Sequence, residues 1–198
     1  MRAITGISDH YGRAEFVTLG VEAKRPVIRA RQRYELLDPD LPCAPYHHEA
    51  LVMPLEAVRP IIARTRASVE KHCRAALSDV KSTHAIDAIV LPESPFQRLP
   101  DDLAEILASR AITLAADGML YREMLASVAA ELGLRVFRYP RRSDEIAEAA
   151  KLLGTTPAAI VALLKSFGRE VGAPWRKEHQ VAAASALRVL ASEGVIRL

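Results

Sequence analysis

Apolar and polar positions alternate with a short period in the first part of the chain, which predicts β-strands there. The runs RAITGI and AEFVTLGV are rich in β-branched and apolar residues, and the turn-forming segment SDHYGR separates them. The segment RPVIRARQRYELL alternates apolar with charged positions, as a half-exposed strand does. Three strands with short connections predict an antiparallel meander at the start of the fold.

The pattern changes to helical spacing after a proline-rich segment. DPDLPCAPYHHEALVMP holds four prolines, so we expect an ordered loop without long regular structure. From Leu55 to Val80, apolar residues fall at intervals of three and four, which predicts an amphipathic helix. The short apolar run AIDAIVL then predicts a buried central strand.

The remainder of the chain is predicted to be helical around one more strand. We expect one or two helices over residues 101–132 and a fifth strand in LRVFRYP. A helical hairpin follows over residues 143–170, with Ser143 as N-cap of its first helix and Gly168 just past the end of its second. The last helix is VAAASALRVLASEG. The predicted order is βββαβαβ followed by helices, in a single domain over residues 1–198.

Composition and charge narrow the class of protein. Half of the residues are hydrophobic and 26% are charged, the balance of an ordinary globular protein. The net charge of +3 permits an acidic partner such as nucleic acid but does not require one. The two cysteines, Cys43 and Cys73, are too few and too far apart for a zinc site or a disulfide framework. No signal peptide and no apolar run of membrane-spanning length is visible, so we expect a cytoplasmic protein without a membrane partner.

Four stretches of sequence, together with the order of elements, resemble the RuvC-type Holliday junction resolvases of the ribonuclease H-like superfamily. The stretches are ITGISDHYGRAEFVTLG, AIVLPESPF, ASRAITLAADGMLYREMLASVAAELGLRVFRYPRR and AAASALRVL. The resemblance implies an α/β ribonuclease H-like fold with a mixed five-stranded sheet. It also implies a nucleic-acid partner and a Mg²⁺-dependent endonuclease, in which carboxylates from separate segments converge on the metal.

The acidic motif of that family is only partly present in the strands. The family's first-strand Asp falls on Ser8, and Asp9 follows one residue later. Because successive strand residues face opposite sides, Asp9 can replace that Asp only if the strand has already ended or bulged. The family's fourth-strand Glu matches Glu93.

The last helix departs further from the family's motif. The two acids that the family carries there fall on Ala182 and Ser185. Glu178 lies one turn before Ala182 and reaches the same face if the helix begins early enough, and His179 is beside it.

Two hypotheses follow from these matches and departures. In the first, Asp9, Glu93 and Glu178 bind Mg²⁺ in a rearranged site. These three residues then act in catalysis together with His179. In the second, the fold persists with a decayed metal site, and the protein is a non-catalytic binding or assembly module. The alanine face of the last helix then serves close packing or a homodimer contact.

Cations near the ends of two predicted elements are candidate contacts for nucleic acid. Arg141 and Arg142 follow the fifth strand, and Arg176 and Lys177 precede the last helix. Arginine and lysine bind backbone phosphates, and the adjacent Trp175 can stack on an unpaired base. A lone tryptophan also commonly anchors a loop on a core, so both roles stay open for Trp175.

The predicted helical hairpin resembles a helix-turn-helix, which gives a third hypothesis of a DNA-binding regulator. Its second helix offers only Thr155, Thr156 and Lys165 as base contacts. Two amphipathic helices that pack on a core produce the same pattern, and we favour that interpretation.

Overall fold

A computed structural model describes residues 3–48, 50 and 52–198, and it contains one five-stranded sheet with helices on both faces. The strands are β1 (Ala3–His10), β2 (Arg13–Glu22), β3 (Arg25–Glu35), β4 (Ala88–Pro92) and β5 (Arg135–Tyr139). The helices are α1 (Leu55–His84), α2 (Leu103–Leu107), α3 (Arg110–Glu131), α4 (Glu145–Leu152), α5 (Pro157–Val171) and α6 (Lys177–Ser192). The predicted α/β fold class and its βββαβαβ order are confirmed.

The sheet is mixed, with the strand order β3-β2-β1-β4-β5. β1, β2 and β3 form the predicted antiparallel meander, while β4 and β5 run parallel to β1. The parallel strands therefore end at one edge of the sheet, at His10, Pro92 and Tyr139. We call this edge the carboxyl edge.

Apolar side chains alternate between the two faces of the sheet, and each face has its own core. Ile4 and Val90 pack with α4, α5 and α6 on what we call the α6 face. Ile7 and Leu91 pack with α1 and α3 on the opposite face, the α3 face. Because β1 alternates regularly, even-numbered residues of this strand face α6 and odd-numbered residues face α3.

The first hairpin is tighter than the sequence predicted. SDHYGR was expected to be a turn, but β1 continues through His10 and β2 begins at Arg13. Only Tyr11 and Gly12 form the turn, and Gly12 has a φ of 77°, which a residue without a Cβ adopts readily. The strands pair in unbroken register from Ala3 to His10, so β1 contains no bulge.

Two predicted helix boundaries are also corrected. α5 does not stop before Gly168 but continues to Val171, and Gly168 inside the helix permits a close approach of the Trp175 ring. A Cβ at Gly168 would lie 2.5 Å from that ring. Asp144, not Ser143, caps α4, and its carboxylate accepts hydrogen bonds from two backbone N–H groups of the first turn.

The predicted helical hairpin over 143–170 consists of α4 and α5, which are bent by 108° at their connection. Ile160, Leu164 and Phe167 of α5 are buried in the core on the α6 face. The hairpin thus packs on the sheet as the favoured interpretation expected. Within the described residues, no single helix is long and apolar enough to span a bilayer, and this bent pair passes such a test only jointly.

Candidate functional site at the carboxyl edge

Asp9 lies on the α3 face of the sheet, where it is bound to Arg122 of α3. Arg122 Nη2 donates to Asp9 Oδ2 at 2.8 Å, and Nε donates to Oδ1 at 3.3 Å. Both side chains are buried, with exposed fractions of 5% and 7% for Asp9 and Arg122. Because β1 neither ends nor bulges before Asp9, the condition that would turn this carboxylate toward α6 is not met.

Glu93 directly follows β4 and is exposed at the carboxyl edge. Its backbone N–H donates to the carbonyl of Tyr139 at 2.8 Å, which continues the pairing of β4 with β5 by one residue. The neighbouring Ser94 hydroxyl donates to Glu123, and Arg138 Nη2 donates to the same carboxylate at 2.7 Å. The Glu93 side chain is therefore available to solvent beside an ordered polar cluster.

Glu178 and His179 lie in the first turn of α6, which begins at Lys177, early enough for both to reach the sheet. They meet Glu15 of β2, a residue that the sequence analysis missed. Ligand atoms of Glu15, Glu178 and His179 lie within 4.8 Å of one another. Across residues 3–48, 50 and 52–198, this is the one group of three such side chains at that spacing, so neither Asp9 nor Glu93 joins it.

Glu15 reaches this position because of the hairpin register. It pairs directly with Ser8, and opposite residues in an antiparallel pair share a face. Ser8 is the position where the resembling family carries its first-strand acid, so Glu15 brings a carboxylate to that neighbourhood from the adjacent strand. The segment SDHYGR did not show by itself that the turn is confined to Tyr11 and Gly12, so this pairing was missed.

His179 is held by hydrogen bonds at both ring nitrogens. Nδ1 accepts the backbone N–H of Arg176 at 2.8 Å, so Nδ1 carries no proton. Nε2 then carries the proton and donates to Glu15 Oε2 at 3.2 Å. A metal at either nitrogen would break one of these bonds, so His179 fits the role of a helix cap better than that of a ligand.

The carboxylates of Glu15 and Glu178 fit a hard cation better than His179 does. Mg²⁺ binds through one or two carboxylates with further oxygen ligands from water or phosphate. Glu178 also lies 3.8 Å from His10 Nε2, and its side chain is 23% exposed. Access from solvent therefore exists on the Glu178 side, while the Glu15 side chain is 7% exposed.

The alanines of α6 pack closely against β1. Ala182, Ala183 and Ala186 are all completely buried. A Cβ at Gly6 would lie 1.8 Å from the carbonyl oxygen of Ala182, so the helix backbone contacts the strand backbone at this point. The predicted close-packing role is thus observed, and the alternative of a homodimer contact through these alanines is corrected, because they are buried inside the protein.

The predicted nucleic-acid contacts are exposed at the carboxyl edge. Arg141 and Arg142 follow the end of β5, and Arg176 and Lys177 stand at the beginning of α6. Among the described residues, none of these four cations makes an ion pair within 4.0 Å, whereas Arg138 is paired with Glu123.

Trp175 anchors the loop before α6. Its ring stacks on His179 with a centroid distance of 5.7 Å and an interplanar angle of 17°. The same ring also contacts the surface of α5 at Gly168. Two rings and a glycine thus fix the position where α6 begins.

Comparison with solved structures finds junction resolvases with a similar fold. The T. thermophilus RuvC structure superposes with a TM-score of 0.57 at 14% identity, over 98% of each chain. T. thermophilus RuvC in complex with Holliday junction substrate gives 0.55 at 14% identity, over 100% of this chain and 99% of the other. The yeast mitochondrial Holliday junction resolvase Ydc2 gives 0.54 at 8% identity, over 97% and 79%. No protein-family model matches the sequence, and no curated protein does.

These findings define the class as an α/β protein whose fold, a mixed five-stranded sheet with flanking helices, resembles that of RuvC-type resolvases. At identities of 8–14%, the likeness establishes the fold and leaves the chemistry of the site to its own residues.

Proposed function

We propose that this protein binds structured nucleic acid at the carboxyl edge of its sheet. The observation that carries the proposal is the set of exposed cations at this edge without ion pairs among the described residues: Arg141, Arg142, Arg176 and Lys177. Several exposed arginines elsewhere are paired with carboxylates, for example Arg29 and Arg33 of β3. Unpaired guanidinium and ammonium groups are free to contact phosphates.

An exposed aromatic side chain near this edge also suits a branched or partly unpaired nucleic acid. Phe96 follows Glu93 by three residues and is 39% exposed, although its side chain is fully apolar. An exposed aromatic ring stacks on an unpaired base without sequence preference. A solved neighbour of the same fold is a RuvC in complex with Holliday junction substrate, which supports a branched ligand for this chain as well.

A binding experiment with a four-way DNA junction and a linear duplex tests this proposal. We expect the junction to bind more tightly, and the combined Arg141→Gln and Arg176→Gln variant to lose at least about tenfold in affinity at low salt. Phe96→Ala is expected to weaken junction binding and leave duplex binding unchanged.

Lys165→Gln is the matched control, because Lys165 is exposed on α5 and belongs to the helix-turn-helix hypothesis. Loss of binding in this variant, with binding retained in the Arg141→Gln and Arg176→Gln variant, would transfer the interface to the hairpin and overturn the proposal.

A second candidate function, Mg²⁺-dependent cleavage of the bound nucleic acid, is favoured by the proximity of Glu15 to Glu178. These two carboxylates would hold the cation, and substrate phosphate would complete its oxygen ligands. When bound, such a cation polarises a phosphoryl oxygen and activates water. Glu93 remains a predicted contributor because it is exposed at the same edge.

Metal binding is tested by titrating Mg²⁺ or Mn²⁺ into the protein and following backbone amide resonances. We expect resonances of the first turn of α6 to shift at millimolar Mg²⁺ and broaden with Mn²⁺, and Glu178→Gln to abolish both effects. Glu105→Gln, an exposed acid on α2, should change neither. Absence of any response at millimolar metal removes the nuclease candidate and leaves the binding module.

A further inference from the structure

A cavity at the carboxyl edge lies on the α3 face, apart from the Glu15–Glu178 pair. It has a volume of about 260 Å³, and its lining includes Asp9, His10, Tyr11, Arg122 and Arg141. We call it the arginine pocket. Its charged lining residues are two arginines and one aspartate, so it has an excess of one positive charge.

Arg122 presents an unused donor in this pocket. Its Nε and Nη2 atoms bind Asp9, while Nη1 is buried and has no hydrogen-bond partner among the described residues. The Arg122 side chain is only 7% exposed. Buried donors in native proteins almost always have a partner, so an orphaned guanidinium N–H in a polar cavity indicates a ligand.

The rest of the lining supplies further donors. His10 lines the pocket too, but its Nε2 lies 3.8 Å from the Glu178 carboxylate on the α6 face. The Tyr11 hydroxyl makes only a long hydrogen bond of 3.4 Å to the carbonyl of Leu114. Arg141 is exposed and without an ion pair in the described part of the chain.

Burial and the charges around the pocket shift the pKa of Tyr11. Burial raises the pKa of the Tyr11 phenol, Asp117 raises it further, and Arg141 and Arg122 lower it. Tyr11 is therefore a neutral hydroxyl donor at physiological pH. Asp117 itself accepts hydrogen bonds from the backbone N–H groups of Tyr46 and His47.

We propose that the arginine pocket binds a phosphate group, held between Arg122 Nη1 and the guanidinium of Arg141. Two converging guanidinium groups match the oxygens of a phosphate, and Asp9 keeps the Arg122 fork in a fixed orientation. The hydroxyl donor of Tyr11 is suited to a remaining oxygen.

The source of the phosphate is a nucleic-acid end, an internal backbone phosphate or free inorganic phosphate. Only the first two sources rest on the proposed function, since the pocket lies at the edge where nucleic acid would bind. The pocket is therefore tested first with inorganic phosphate alone.

The experiment follows the Arg122 side-chain Nε–H resonance of ¹⁵N-labelled protein during titration with inorganic phosphate, against sodium chloride at equal ionic strength. We expect a saturable shift with phosphate and none with chloride. Arg141→Gln should weaken the apparent affinity by about tenfold, which is typical for the removal of one charge-assisted hydrogen bond. Arg142→Gln, the adjacent exposed arginine outside the pocket lining, should leave it unchanged.

Arg122→Lys is a second variant, in which the charge beside Asp9 is kept and Nη1 is removed. We expect it to fold, as judged by thermal unfolding, and to lose phosphate binding measured by backbone amide shifts of Tyr11 and Gly118. Absence of a saturable phosphate response in the wild-type protein overturns the inference. So does an equal loss in Arg142→Gln and Arg141→Gln.

Oligonucleotides with and without a 5′-terminal phosphate then identify the source. If the 5′-phosphorylated oligonucleotide displaces inorganic phosphate more strongly, the pocket binds a terminal phosphate. If the two oligonucleotides displace it equally, the pocket binds an internal backbone phosphate. Phosphate binding without any nucleic-acid binding would retain the pocket and overturn the proposed function. Junction binding without any phosphate response would retain the proposed function and overturn the pocket.

Discussion

At the scale of single residues, one position along β1 decides where a carboxylate lies. Ser8 faces α6 and Asp9 faces α3, because consecutive strand residues alternate between the faces. Asp9 consequently meets Arg122 in a buried ion pair rather than the acids of α6. The same alternation places Glu15, across the hairpin from Ser8, beside Glu178. Carboxylates therefore lie at Asp9 and Glu15, next to Ser8 along the chain and across the hairpin, and not at Ser8, where the resembling family carries its acid.

The buried pair of Asp9 with Arg122 leads to a prediction about stability. Arg122→Ala should lower the free energy of unfolding by about 3–5 kcal/mol, because it leaves Asp9 as an uncompensated buried charge. Replacing both partners, as Asp9→Asn with Arg122→Met, should recover most of that stability. Urea unfolding measures both variants against the wild type.

The exposed pair of Arg98 with Asp101 is the control for this prediction, with exposed fractions of 77% and 83%. Arg98→Ala should cost less than about 1 kcal/mol, as surface ion pairs do. An Arg122→Ala protein as stable as the wild type would contradict the view that this pair is desolvated.

At the scale of elements, the packing of α6 on β1 fixes the geometry of the candidate site. Gly6 permits the backbone of α6 to lie directly against the strand, and the buried alanines extend this packing along the helix. The first turn of α6 is thereby held above β2, where His179 receives the Arg176 N–H and binds Glu15. The positions at which the resembling family carries acids on this helix are thus occupied by small residues that pack.

Gly6→Ala should be severely destabilising, because the added Cβ would lie 1.8 Å from a backbone oxygen that cannot rotate away. We expect the free energy of unfolding to fall by about 3 kcal/mol or more, at or above the upper range for overpacking. Thermal and urea unfolding measure it.

Gly118→Ala is the matched control, since Gly118 is inside α3 and an added Cβ would meet Tyr11 at 4.0 Å, an ordinary van der Waals distance. Alanine favours helix over glycine by up to about 1 kcal/mol, so this variant should be neutral or more stable. Similar destabilisation in the two glycine variants would refute the close approach of α6 to β1.

At the scale of the whole molecule, the charge distribution matters more than the small net charge. The formal charge is only +3, yet four exposed cations, Arg141, Arg142, Arg176 and Lys177, lie at the edge where three parallel strands end. Several other exposed arginines on the described surface are paired with acids. Local clustering of this kind directs a polyanion to one surface even when the overall charge is near neutral.

The salt dependence of nucleic-acid binding should therefore report on this one edge. Neutralising Arg141, Arg142, Arg176 and Lys177 together should reduce the slope of log affinity against log salt, by about 0.9 for each phosphate that these cations had neutralised. Neutralising Lys24 and Arg25, which lie in the β2–β3 hairpin at the opposite edge, should leave the slope unchanged. Equal reductions would indicate non-specific attraction to the whole protein.

The sequence by itself determined the order of elements and the fold class, because hydrophobic periodicity is a local property that each element carries alone. It also predicted Glu178, His179 and the four cations as site residues, and that role stays a prediction. The partners of these residues were decided only by the tertiary structure. Glu15 depended on the hairpin register, and Arg122 and the arginine pocket depended on which face of β1 each side chain occupies. The face on which a side chain such as Asp9 lies depends on whether β1 continues through that residue. The local sequence SDHYGR did not specify the residue at which β1 ends.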